Sequence, residues 1–481
     1  MMHVVSVATV GFLTALMPGG DLQTLQASNL EDWTAAVTLP PQLTEPVFIP
    51  TPEMTTIARQ YLEAIATLGF STDEQGIWLQ VGNEIVLDHA GTTALSAASL
   101  TKIATTLVAL DEWGVDHTFT TTIAATGPVV DGVLQGNLVV RGGGDPFMVW
   151  EEAIAIGNAL NQVGIREVSG DLVITGPFSM NYEIDSITAG ELFYQAVNAD
   201  LWGYEIETQY QTLPEGTARP EVAIAGTIQP ATQLPSSMSP ILTRESLPLS
   251  QILKSMNIYS NNIMSEVLAD SLGGATVLAE RAAAIAEVPS AEIQLINGSG
   301  LGEDNKVSPR AAVTMLQAIQ RYVEPSQLNV ADLFPVAGRD GGTLLDRNIP
   351  SLAAVKTGTL NEVSALAGAI PTRDRGVIWF ALINRGWDLD GFRQQQDVLL
   401  QQVIDVWNPV AIAPDELRPD NTPNPAELLG ASDRTQVMSS VVSTTATPDP
   451  ASASNPSSST AAERNTVEPN QERSNDGSLA F

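Results

Sequence analysis

Ser99 and Lys102 have the residue types and the spacing to do chemistry together. They lie in the run Ala97-Ala98-Ser99-Leu100-Thr101-Lys102-Ile103, which continues to Leu110 without glycine or proline. Ile103, Leu107 and Leu110 recur at helical spacing, so the run predicts a buried amphipathic helix. Residues three apart on a helix share a face, which sets the serine hydroxyl beside the amine. A serine is a weak nucleophile until a neighbouring base takes its proton. A lysine shielded from water can lose its charge and be that base. The chain has four lysines, Lys102, Lys254, Lys306 and Lys356, and only Lys102 follows a serine by three residues. Alone, the stretch also reads as a helix end whose lysine snorkels to solvent.

Lys356-Thr357-Gly358-Thr359 ends the apolar run Leu352-Ala353-Ala354-Val355. A strand of small residues lets a substrate lie close along the backbone edge. Lys356 would supply charge and the two threonines hydroxyls, a set suited to a peptide ending in a carboxylate. A strand end followed by a turn has the same look. Ser-x-Asn occurs at Ser179–Asn181, Ser255–Asn257 and Ser260–Asn262, and only the last interrupts two helical patterns. A hydroxyl there could relay a proton, and an amide could hold a peptide group. Both residue types also cap helices.

The elements that must position these groups are legible in outline. A helix is expected from Pro52 to Leu68, then strands Gly76–Val81 and Glu84–Asp88 across a Gly82-Asn83 turn. Thr118–Ala125, Leu138–Val140 and Asp171–Thr175 read as strands, and Val149–Val163 as a helix. From Asn181 to Pro248 helix and strand are hard to separate. Leu249–Ile258, Ile263–Leu272, Val277–Glu287 and Pro309–Tyr322 read as helices. Strands at Leu352–Gly358, Val363–Ile370 and Val377–Asn384 precede a closing helix, Leu389–Trp407. Arg141-Gly142-Gly143-Gly144-Asp145-Pro146 lacks the spacing of a phosphate loop and reads as a plain turn.

With 481 residues the chain exceeds one small core. Its net charge of −33 argues against nucleic acid or an anionic membrane as partner. No cysteine is present, which excludes disulfides and thiol catalysis, and three histidines leave little for histidine chemistry. His89 and His117 read as ordinary surface or hinge residues. No metal or cofactor is implied. The apolar run from Val4 to Met17 resembles a secretory signal without its basic start, so export to a periplasmic or cell-wall space is expected. No integral membrane span is expected in the mature chain. From Asn408 the composition turns to Pro, Ser, Thr, Asn and Asp, and a disordered acidic tail is expected.

Ser-x-x-Lys, Ser-x-Asn and Lys-Thr-Gly in this order resemble the signature of penicillin-binding proteins and class A β-lactamases. Several stretches extend the likeness: Arg141 to Pro146, Asn257 to Asn262, Gly298-Ser299-Gly300-Leu301, Val307-Ser308-Pro309, Ala337 to Leu344 and Lys356 to Leu360. Together they resemble the D-alanyl-D-alanine carboxypeptidase/endopeptidase family of low-molecular-mass penicillin-binding proteins, peptidase family S13, over roughly residues 54–407. The resemblance implies an α+β, β-lactamase/transpeptidase-like fold: an antiparallel sheet flanked by helices, with an inserted mostly-β subdomain. Composition and the resemblance together divide the chain into a leader (1–20), a Pro-rich arm (21–53), a catalytic domain (54–117 and 246–407), an insert (118–245) and the tail (408–481). The insert is shorter than in full-length members, which implies that one of two subdomains is absent. Asn261 stands where the family usually has Asp, and Asn297 where Asp often precedes Gly-Ser-Gly.

By the same resemblance, Ser99 attacks the carbonyl between two D-alanines of a peptidoglycan stem peptide, Lys102 is the base, and Ser260 passes the proton onward. Asn262 holds the substrate amide, while Lys356, Thr357, Gly358 and Thr359 line the carboxylate's place. The backbone N–H groups of Ser99 and Thr359 form the oxyanion hole. β-Lactam antibiotics would then be covalent inhibitors. A β-lactamase or esterase of the same fold, or a non-catalytic wall-binding protein, are the alternatives.

Overall fold

Residues 46–235, 237–420 and 428–438 are described by the computed structural model of the chain. The Val363–Thr372 strand is buried at every position, because helices cover both faces of its sheet. That sheet has six strands in the order Val47–Phe48, Glu84–His89, Gln75–Val81, Gly376–Arg385, Val363–Thr372 and Ala354–Leu360. All pairings are antiparallel except the short outer Val47–Phe48 strand. Side chains alternate between the faces of a strand, and here the two faces differ in size. Ala365, Ala367, Ala369 and Ala381 face one core, with Leu107 and Leu316 from the Thr101–Trp113 and Pro309–Val323 helices. Leu366, Ile370, Phe380 and Leu382 face another, with Met54, Ile57, Leu400 and Val403 from the Pro52–Thr67 and Leu389–Trp407 helices. The alanine face lets the Ser99 turn and the Pro309–Val323 helix lie close against the sheet.

Local chemistry sets the helix ends. Thr51 caps the first helix by accepting from Met54 N at 3.3 Å, with Pro52 at its first turn. Asp388 caps the last by accepting from Gly391 N at 3.0 Å. The expected helix at Ser99 is a correction: Ala98–Leu100 is a 3₁₀ turn, and the α-helix begins at Thr101. In a 3₁₀ turn residues three apart eclipse one another, which brings Ser99 and Lys102 together even more directly. The Lys-Thr-Gly stretch lies within its strand, not at its end, because Leu352 turns with φ +69° and pairing starts at Ala354.

A second sheet runs Ile228–Ala231, Leu172–Thr175, Leu138–Arg141, Thr120–Ala125, Ser239–Glu245 and Thr435–Val437. Its own core holds Leu138, Ile154, Ile174 and Phe193. Leu172–Thr175 is parallel to both neighbours. Parallel neighbours need crossovers, and the Trp150–Gln162 and Ser186–Val197 helices supply them. Between Thr120 and Glu245 the described residues thus hold three helices with nine strands, a mixed unit where a mostly-β one was expected. The glycine loop is a packing device. A Cβ at Gly142 would lie 2.3 Å from the Pro177 carbonyl oxygen, and one at Gly143 2.2 Å from that of Thr120.

Two parts of the expected tail are packed. Leu417 is fully buried, and Thr435–Val437 pairs antiparallel with Ser239–Glu245. Both guanidiniums of Arg244 and Arg434 reach Glu152 at 2.6 Å, so a buried ion triad fixes the segment. The apolar leader, most of the Pro-rich arm and the rest of the tail lie outside the described residues. Among the described residues no helix is long and apolar enough to cross a membrane.

Candidate active site

The outer strand of the first sheet, Ala354–Leu360, faces the Ser99 turn. A Cβ at Gly358 would lie 2.7 Å from the Ala97 carbonyl oxygen and 3.2 Å from Ser99 N, so glycine permits this approach. Alternation sends Lys356 and Gly358 toward Ser99, and Val355 toward the opposite core. Lys102 Nζ lies 3.1 Å from Ser99 Oγ, 2.7 Å from Asn262 Oδ1 and 2.7 Å from the Ser299 carbonyl oxygen. Lys102 is fully buried, and burial brings its amine down to about 7, against the smaller upward pull of Glu266. An amine in that range is neutral often enough near neutral pH to accept a proton. Lys356 is also fully buried, with its amine 2.8 Å from Ser260 Oγ and 2.8 Å from the Thr357 carbonyl oxygen. Burial, and then the nearby Lys102, hold it well below the ordinary lysine value.

Ser260 closes the Leu249–Tyr259 helix in the left-handed region at φ +52°. A non-glycine residue there is strained, by about 1–2 kcal/mol. The cap of the next helix, Asn262–Ser271, is neither Ser260 nor Asn262. Asn261 takes that role, its Oδ1 accepting from Met264 N at 3.0 Å. Ser260 and Asn262 are thereby free to turn toward Lys356 and Lys102. Asp caps as Asn does, so the departure at 261 leaves this geometry intact. Asn297 accepts from Gly300 N at 2.8 Å and donates to the Leu301 carbonyl at 2.6 Å. An Asp could make only the first bond.

The eight residues singled out by sequence meet at one cleft of about 970 Å³, bordered by Ser99, Ser260, Asn262, Thr357 and Thr359. Lys102 and Lys356 lie beneath its floor. Three other groups escaped the sequence reading. Glu266 accepts from Gly298 N and Ser299 N at 3.0 Å each, and so aims the Ser299 carbonyl at Lys102. Its position one turn after Asn262 was the available signal. Thr343 shares a 2.8 Å hydroxyl bond with Thr357. Arg393 Nη2 donates to Thr359 Oγ1 at 3.2 Å. Lys254 is structural, bonded to Asp340 and to the Ala331 and Phe334 carbonyls. His117 stacks on Trp113, and His89 bonds the Thr72 carbonyl; neither borders the cleft.

Comparisons with known proteins agree in direction. The profile of the D-Ala-D-Ala carboxypeptidase 3 (S13) family matches residues 63–185 and 211–406. Carboxypeptidase DacB of Mycolicibacterium smegmatis is 27% identical over 336 residues, covering 60% of this chain and 71% of that protein. A D-alanyl-D-alanine carboxypeptidase of Actinomadura sp. is 27% identical over 412 residues, covering 63% and 76%. Among solved structures, a penicillin G acylated predatory endopeptidase from Bdellovibrio bacteriovorus superposes with a TM-score of 0.62 at 22% identity, covering 72% of this chain and 96% of its own. Penicillin binding protein 4 from Haemophilus influenzae, complexed with a β-lactam, gives 0.55 at 17% identity, covering 74% and 100%. Both share the transpeptidase-like fold with this chain.

Proposed function

This chain belongs to the D-Ala-D-Ala carboxypeptidase 3 (S13) family of serine peptidases, and on that premise we propose that it removes the terminal D-alanine from peptidoglycan stem peptides through an acyl-Ser99 intermediate. The observation that carries the reading is a nucleophile 3.1 Å from an amine brought down to about 7 by burial. Neutral Lys102 takes the Ser99 proton as Oγ attacks the carbonyl between the two D-alanines. The oxyanion accepts from the N–H groups of Ser99 and Thr359, each worth about 3 kcal/mol in the transition state. Ser260, backed by Lys356 at 2.8 Å, passes a proton to the leaving amine. Asn262 holds the substrate amide while steadying Lys102. Thr357 and Thr359 face the terminal carboxylate. Water then releases the acyl group.

The Actinomadura relative is by name a D-alanyl-D-alanine carboxypeptidase, and the acylated neighbour carries penicillin G; both support a stem-peptide substrate and β-lactam inhibition. That substrate is extracytoplasmic, so the reading includes export, supported by the apolar run from Val4 to Met17. Release of D-alanine from a pentapeptide ending in D-Ala-D-Ala tests it. Turnover by the native protein and none by Ser99→Ala is expected. No turnover by the native protein, or rapid turnover of penicillin in its place, would overturn it.

A further inference from the structure

A leaving group that ends in a carboxylate needs a partner that keeps its positive charge. The two lysines of the motifs are poorly placed for this. Lys102 is spent on Ser99, Asn262 and the Ser299 carbonyl, and Lys356 on Ser260 and the Thr357 carbonyl. Both amines lie below the cleft floor, in surroundings that disfavour their charged form. Among the described residues that line the cleft, only Arg347 and Arg393 are cationic. Arg347 is committed: its side chain is 7% exposed, and it is tied to Asp397 at 2.7 Å and Gln396 at 3.0 Å. Arg393 is not. Its side chain is 36% exposed, and its ion pair is with Asp390, at 3.3 Å, itself 94% exposed. Such solvent-facing pairs contribute little and are readily exchanged.

We propose that Arg393 receives the C-terminal carboxylate of the substrate and so makes the cleft select free peptide acids. It reaches over from the Leu389–Trp407 helix, and its Nη2 already touches Thr359 Oγ1 at 3.2 Å. Thr357 and Thr359 border the same cleft. A carboxylate laid across these hydroxyls meets a planar fork of donors, the geometry that suits bidentate pairing. Asp346, Asp390, Asp397 and Asp405 also border the cleft. Arg393 is therefore a cationic spot on a largely acidic wall, in a chain of net charge −33.

The inference rests on the carboxypeptidase reading above and is tested apart from it. kcat/KM is measured for a D-Ala-D-Ala pentapeptide and for the same peptide with a C-terminal amide, using native protein, Arg393→Ala and Arg393→Lys. Arg393→Ala is expected to lose roughly tenfold to a hundredfold on the acid, the weight of a charge-assisted hydrogen bond. On the amide it is expected to change less than about threefold. Arg393→Lys should recover part of the loss on the acid only. Equal losses on acid and amide, or no loss on the acid, would overturn the assignment. A native protein inactive on both peptides would instead overturn the carboxypeptidase reading.

Discussion

At the scale of single residues, the reaction hangs on the protonation of Lys102. Its amine is brought down to about 7 by burial, and only the neutral form can accept the Ser99 proton. Acylation by penicillin is therefore expected to rise with pH and level off above about 7. Lys102→Arg should reduce it by about 10³-fold or more, since a guanidinium accepts no proton. Glu266 pulls the same amine upward. Glu266→Gln should thus move the midpoint of the pH–rate profile below 7, as measured by stopped-flow acylation. Ser99, Lys102 and Lys356 were legible because serine beside lysine, and lysine with threonine and glycine, are rare combinations in a chain with four lysines. Thr343 and Arg393 were not, because only packing brings them to the cleft, and Glu266 offered no more than its place one turn after Asn262.

Among the elements, the edge strand and the break between two helices shape the site. Gly358 admits the strand to within contact of the Ser99 turn, and a Cβ would press on Ala97 O and Ser99 N. Gly358→Ala is expected to slow acylation about 10²-fold, by displacing an oxyanion donor, and to lower the melting temperature as well, because the added Cβ meets backbone that must shift. Asn261 carries the cap, so Asn261→Ala should cost about 1 kcal/mol in thermal or denaturant unfolding, whereas Asn261→Asp should cost almost nothing. The closing helix, Leu389–Trp407, was legible in the sequence, because its apolar stripe is long and regular. The region from Asn181 to Pro248 was not, because strands such as Ala223–Ile224 are two residues long and show no period. The Ser-x-Asn reading located the right break; the capping role weighed for Ser260 and Asn262 falls to Asn261 between them.

For the molecule as a whole, the C-terminal segment returns to brace the insert. Glu152 is buried, which pushes its carboxyl up, but the guanidiniums of Arg244 and then Arg434 outweigh this and hold it below the usual value. A carboxyl so depressed stabilises the fold above its unfolded value of about 4.5, and that contribution fades as pH falls through the lower folded value. Arg434→Ala leaves Glu152 a single guanidinium and is expected to destabilise by about 3 kcal/mol at neutral pH. Melting should show a smaller difference between variant and native protein in acid. Penicillin labelling should persist, since none of the three residues borders the Ser99 cleft. Composition hid this segment: three residues of strand between polar runs carry no periodic signal, and the partners of Arg434 lie far earlier in the chain.

Everything above depends on Ser99 being the acylated nucleophile. The most direct measurement is peptide mapping by mass spectrometry after incubation with benzylpenicillin, on the native protein and on Ser99→Ala. A penicilloyl adduct on the peptide containing Ser99, absent from the variant, is the expected result. An adduct on any other residue, its persistence in Ser99→Ala, or no adduct on the native protein would contradict it.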